Sequence, residues 1–91
     1  MVGRPHHRVI LYTRPGCHLC DDAREVVQAV MTEVEAADDA PSVHLDERSI
    51  LDDAELAARY AEEIPVLLID GKVHDYWRID PVRLKTALLA G

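Results

Sequence analysis

Hydrophobic and polar positions along this chain change their period several times, and each change marks an element. Val9-Ile10-Leu11-Tyr12 is a continuous apolar run with β-branched members, the pattern of a strand buried on both faces. Thr13-Arg14-Pro15-Gly16 breaks it, because Pro and Gly punctuate a turn. Ala23, Val26, Val27, Val30, Met31 and Val34 then recur at spacings of three and four, which predicts one amphipathic helix from Cys17 to Glu35. A polar loop through Pro41 ends it, and Ser42-Val43-His44-Leu45-Asp46 alternates as a short, half-exposed strand does. A second helix is predicted over Asp52 to Glu62, capped by Ser49 or Asp52, with Ala54, Ala57, Ala58 and Ala61 on its inner side. Pro65 stops it. Val66-Leu67-Leu68-Ile69 reads as another buried strand, Asp70-Gly71 as a hairpin turn, and Lys72 to Trp77 as the returning strand. Asp80-Pro81 pairs an N-cap with a proline at the first helical position, opening a last helix with Val82, Leu84, Leu88 and Leu89.

The predicted order is β-α-β-α-β-β-α. A long helix joins the first two strands, so they are expected to be parallel, and the last two form an antiparallel hairpin. The expected fold class is therefore α/β, a mixed four-stranded sheet with helices on both faces. A chain of 91 residues suffices for one such domain, spanning 1–91, with residues 1–7 as a flexible lead-in.

Charge narrows the function. Seventeen Asp and Glu against ten Lys and Arg leave a net charge of −7, which repels phosphate backbones, and no nucleic-acid partner is expected. No apolar stretch approaches the ~20 residues that span a bilayer, and the N-terminal residues lack the apolar core of a signal peptide. The expected location is a reducing cytoplasm, and the expected state a monomer. In that compartment a close pair of cysteines points to catalysis or metal rather than to a structural bridge.

That pair is Cys17-His18-Leu19-Cys20, at the step from a buried strand into an amphipathic helix. The first turn of a helix has backbone N–H groups without helical partners and partial positive charge, and both favour a thiolate. Cys17 is placed to be the nucleophile. Cys20, one turn further in, is expected to be more buried and to resolve the mixed disulfide that Cys17 forms. Arg14 and a protonated His18 would support the Cys17 thiolate, whereas Asp21 and Asp22 would oppose it. Two other readings of the pair stay open. One is a metal or 2Fe–2S binding module, which needs four ligands and hence a second copy or external thiols. The other is a redox-inactive adaptor on the same fold.

Leu11-Tyr12-Thr13-Arg14-Pro15-Gly16-Cys17-His18-Leu19-Cys20 resembles the glutaredoxin pattern of Tyr-Thr, a basic residue, Pro and Cys-x-x-Cys, within the wider thioredoxin-like superfamily. Ile64-Pro65-Val66 is similar to that family's apolar–Pro step. The resemblance implies a nucleophilic Cys17, a resolving Cys20 and a cis-Pro65 facing the active site. It implies that the Ile64 backbone pairs with a bound substrate strand, and that Arg14 holds an anionic substrate group. His18, Leu19 and Tyr76 complete the candidate substrate-contacting set.

Two departures stand out. His18-Leu19 replaces the family's Pro-Tyr, and His74-Asp75-Tyr76-Trp77-Arg78 lies where a Gly-Gly step lets backbone meet glutathione. The short bacterial glutaredoxin-like group is the better match. Tyr76-Trp77 itself reads first as edge-strand and core packing. The implied reaction is thiol–disulfide exchange on a disulfide-containing protein or a small-thiol mixed disulfide. It requires no metal or organic cofactor. A cellular thiol such as glutathione, or a reductase, supplies the electrons.

Overall fold

The structure, a computed structural model, describes residues 5–90. Its elements are β1 (His6–Thr13), α1 (His18–Glu35), β2 (Ser42–Ser49), a 3-10 turn (Ile50–Asp52), α2 (Ala54–Tyr60), β3 (Val66–Ile69), β4 (Lys72–Tyr76) and α3 (Pro81–Leu89). The four strands form one sheet in the order β2-β1-β3-β4. β1 runs parallel to β2 and antiparallel to β3, and β3 is antiparallel to β4.

Alternation along the central strands divides the core in two. Val9 and Leu11 of β1 and Leu67 of β3 pack with Ala23, Val27, Val30 and Val34 of α1 and Leu84 and Leu88 of α3. The opposite face gathers Tyr12, Val66 and Leu68 with Ile50, Tyr60, Ile64 and Cys20. Because β1 and β3 are covered on both sides, they read as unbroken apolar runs. Tyr12 and Tyr60 stack there with ring centroids 5.3 Å apart.

Several expectations need correction. β1 begins at His6, so two residues of the expected flexible lead-in are strand, while residues 1–4 lie outside the described residues. β2 continues past Asp46 to Ser49, because its parallel register with β1 runs on to Thr13 opposite Ser49. Its polar residues Glu47 and Arg48 are tolerated because β2 is an edge strand. α2 is shorter than expected and capped by Asp53, whose carboxylate accepts the N–H groups of Glu55 (2.8 Å) and Leu56 (3.4 Å). Its inner face is Leu56, Ala57 and Tyr60, with Ala54, Ala58 and Ala61 exposed, since a tyrosine and a leucine bury more apolar area than alanines do. In α3, Val82 is 72% exposed, and Leu84 and Leu88 alone reach the core. Asp80 caps this helix with Pro81 in its first turn.

The hairpin turn is tied to the start of β1. Asp70 and Gly71 have φ of 51° and 85°, the double positive that a two-residue type I′ turn demands. The Asp70 carboxylate accepts the Arg8 N–H at 2.9 Å and bonds Nδ1 of the buried His7 at 2.7 Å. These two contacts, the backbone one first, hold Asp70 below its ordinary pKa. A carboxylate depressed in this way stabilises the fold above its unfolded pKa, and the contribution is lost as pH falls below about 4. Asp70→Ala should cost about 1–3 kcal/mol, because it strands the buried imidazole. In urea melts the variant should also show a weaker acid loss than the parent between neutral pH and pH 3. Equal stabilities at neutral pH would show that the tie contributes nothing.

Candidate active site

Strand β1 delivers the chain to the sheet's end, where Pro15 and Gly16 turn it into α1. Gly16 has φ of 73°, so any side chain there would be strained even though a Cβ would meet nothing within 4 Å. Cys17 is still extended (φ −98°, ψ 113°) and is the N-cap of α1. Its Sγ accepts the Cys20 N–H at 3.2 Å, in the role that a Ser or Asp oxygen fills in most helices. Cys17 is half-buried and Cys20 is 1% exposed; no disulfide joins them.

Burial pushes the Cys20 thiol up to about 11, helped by its contact with the Cys17 sulfur and opposed by the backbone and charge of Arg14. The neutral thiol is therefore the resting form of Cys20. Among the described residues no three His, Cys, Asp or Glu side chains come together to hold a metal ion, so the two thiols stand alone.

The Ile64–Pro65 peptide bond is cis. Ile64 packs in the same cluster as Cys20, with Cys17 against it. Neither the N–H nor the C=O of Ile64 takes a backbone hydrogen bond among the described residues, whereas the Pro65 carbonyl accepts the Trp77 N–H at 2.8 Å. Arg14 and His18 are exposed, and Arg14 forms no ion pair among the described residues. Leu19 is half-buried and, with Tyr76, Trp77 and Arg78, walls a cavity of about 480 Å³. Of the expectation that Tyr76-Trp77 is edge-strand and core packing, the edge position holds for Tyr76 and the core packing is overturned. The rings are 43% and 51% exposed, because β4 is an edge strand and the chain turns outward after it.

Sequence reasoning missed the polar side of the site. Arg24 of α1 donates through Nε to Glu47 Oε1 (2.6 Å), through Nη2 to Glu47 Oε2 (2.7 Å) and through Nη1 to Asp21 (2.9 Å). Thr13 donates to the same Glu47 at 3.3 Å. Arg24 holds the Glu47 carboxyl below its ordinary pKa. These residues line a polar cleft of about 290 Å³ with Arg14, Pro15 and Gly16. Asp21, expected to oppose a Cys17 thiolate, thus has its charge met by Arg24. The spacing Asp21-x-x-Arg24 is a legible signal; Glu47 is not, because the alternation that marks its strand stops at Asp46.

A family model described as a glutaredoxin-like domain (DUF836) matches residues 8–89. An uncharacterized protein of Mycobacterium tuberculosis, Rv0508, is 32% identical over 84 residues, covering 92% of this chain and 82% of that protein. Among solved structures, target protein XcR50 from X. campestris superposes with a TM-score of 0.68 at 31% identity, covering 91% of this chain and 97% of that one. Protein Ne2328 from Nitrosomonas europaea has a TM-score of 0.72 at 20% identity, over 90% and 91% of the two chains. A point mutant of the thioredoxin-like protein BC3987 has a TM-score of 0.56 at 20% identity, over 90% and 94%. The last two show the fold alone, which is thioredoxin-like.

With its pKa pushed up to about 11 by burial, Cys20 stays in the thiol form at pH 8. Iodoacetamide at that pH should label Cys17 and leave Cys20 intact until about pH 10 or unfolding, as site-resolved mass spectrometry would register. Equal labelling of both at pH 8 would contradict the burial argument.

Proposed function

The chain belongs to the glutaredoxin-like domain (DUF836) family, and we propose that it is a cytoplasmic thiol–disulfide oxidoreductase in which Cys17 attacks and Cys20 resolves. One observation carries the reading: the two sulfurs occupy inequivalent positions in one helical turn. Cys17 sits half-buried on a helix N-cap with a backbone N–H directed at its sulfur, while Cys20 is buried and held as the thiol. A more accessible nucleophile with a shielded partner is what sequential exchange requires.

In the forward cycle the Cys17 thiolate attacks one sulfur of a substrate disulfide. A Cys17–substrate disulfide forms, and the other substrate sulfur leaves as a thiolate that takes up a proton. Cys20 then gives up its proton and attacks the Cys17 sulfur. The Cys17–Cys20 disulfide forms and the second substrate thiol departs. The substrate gains two electrons and two protons, and the protein dithiol loses them. A cellular thiol or a reductase returns them, so the chain's own residues need no resident cofactor. The Cys20 proton leaves more readily at that moment, because the neighbouring thiolate charge has become a neutral disulfide.

The unpaired N–H and C=O of Ile64 support its assigned part, pairing with an extended substrate strand beside Cys17. Arg14 supports anion binding at the turn, since it is exposed and has no carboxylate partner among the described residues.

Cys17→Ser should bring disulfide reduction down to the uncatalysed rate. Cys20→Ser should keep the first attack and accumulate a Cys17-linked mixed disulfide, visible as an added substrate mass in intact-protein spectra. Retained turnover in Cys17→Ser would overturn the assignment. Loss of the first attack in Cys20→Ser would do the same for its order.

A further inference from the structure

Beyond β4 the chain places Trp77 at φ 62°, in the left-handed region that bulky residues rarely enter. Two hydrogen bonds hold it there. Its N–H donates to the Pro65 carbonyl at 2.8 Å, and its indole Nε1–H donates to the Glu62 carbonyl at 3.0 Å. The loop that carries Ile64 and Pro65 is thereby tied to the end of β4. Tyr76 meets the indole edge-on, with centroids 4.9 Å apart and planes at 79°. Both rings stay about half in solvent, although a strained backbone and a dedicated indole hydrogen bond are spent on setting their position.

We propose that the cavity between Leu19, Tyr76, Trp77 and Arg78 is a specificity subsite. It selects protein disulfides that carry an apolar side chain next to the attacked cysteine and an acidic residue beyond it. This rests on the oxidoreductase reading above and adds the substrate's chemistry.

Three observations carry it. The cavity neighbours the cysteine turn in chain and in sheet: Leu19 lies two residues from Cys17, and Tyr76 pairs with Val66, the neighbour of Pro65. Chain flanking a cysteine attacked by Cys17 and paired with Ile64 is within reach of it on the β4 side. The cavity is a groove open to solvent, of about 480 Å³, whose leucyl and aromatic walls suit an apolar side chain, and a cleft of about 150 Å³, lined also by Asp22, continues past Trp77 and Arg78 along α1. Finally, Arg78 lies on the wall of the groove itself and, like Arg8, Arg14, Arg59 and Lys72, has no carboxylate partner among the described residues, in a chain with seventeen acidic and ten basic residues. A cation left unpaired on so acidic a protein complements an acidic segment. A small thiol without an apolar side chain leaves these walls wet.

The test uses the full chain, pre-reduced, in single turnover. Cysteine tetrapeptides are joined by a disulfide to thionitrobenzoate; Cys17 attacks the peptide sulfur and the coloured thiolate leaves, so no further reductant enters. A peptide with phenylalanine before its cysteine should release colour about tenfold faster than its glycine counterpart. Leu19→Ser should shrink that ratio severalfold. Arg78→Glu should reverse the preference between glutamate- and lysine-flanked phenylalanine peptides, a gain that misfolding does not produce. If phenylalanine and glycine peptides react within about twofold of each other, both well above the Cys17→Ser background, the subsite is wrong and the oxidoreductase reading stands. A glutathione–thionitrobenzoate disulfide reacting as fast as the phenylalanine peptide would also overturn the subsite. Reaction of no disulfide above that background would remove the oxidoreductase reading and the subsite together.

Discussion

Helix α1 begins where it does because a sulfur caps it. Cys17 keeps an extended backbone while its Sγ accepts the Cys20 N–H, so the nucleophile candidate is itself the structural boundary between turn and helix. One geometric fact sets both thiols apart. The residue on the cap stays half-buried at the edge of the cluster formed by Tyr12, Ile64 and Val66, and the residue three positions on is carried under the first turn into it. The raised pKa of Cys20 is a consequence of that burial. The central position of β1 and its burial on both faces make the cap rigid, since the strand feeding it cannot shift without disturbing both cores.

Charge is distributed unevenly around this point. On the α1–β2 side, Arg24 takes up two carboxylates in fork geometry, and Thr13 adds a third contact to Glu47, so Asp21 and Glu47 are already paired. On the outer side of the turn and beyond β4, Arg14 and Arg78 are left without acidic partners among the described residues. The cysteine end of the protein thus presents Arg14 and Arg78 unpaired, with aromatic surface between Leu19 and Trp77.

Much of this is legible along the chain. The buried strands show as unbroken apolar runs, α1 by its three-and-four spacing, the hairpin by Asp70-Gly71 and α3 by Asp80-Pro81. These signals are local and strong, because each follows from backbone conformations that few residues satisfy. α2 is the weak point. An alanine-rich stretch has no dominant stripe, and the inner face goes to Leu56 and Tyr60 once Tyr12 is there to stack upon. The end of β2 is equally hidden, since polar residues on an edge strand look like loop until their register with β1 is known.

For the site, the sequence by itself determined the two cysteines, their place at a strand-to-helix step and the proline opposite, because that chemistry is written in residue type and short spacing. Only the tertiary structure decided what surrounds them. Glu47 meets Arg24 across twenty-three positions of chain, and Trp77 reaches the Glu62 carbonyl across fifteen. Contacts of that separation depend on strand order and register, and the reading of Tyr76-Trp77 as edge-strand and core packing gives no sign that the indole reaches back to the Glu62 carbonyl. Long-range pairing leaves no periodic mark in a single sequence, and so the cysteine pair, Leu19 and Tyr76 were visible from the outset while the Arg24–Glu47 pair and the Trp77 tether were not.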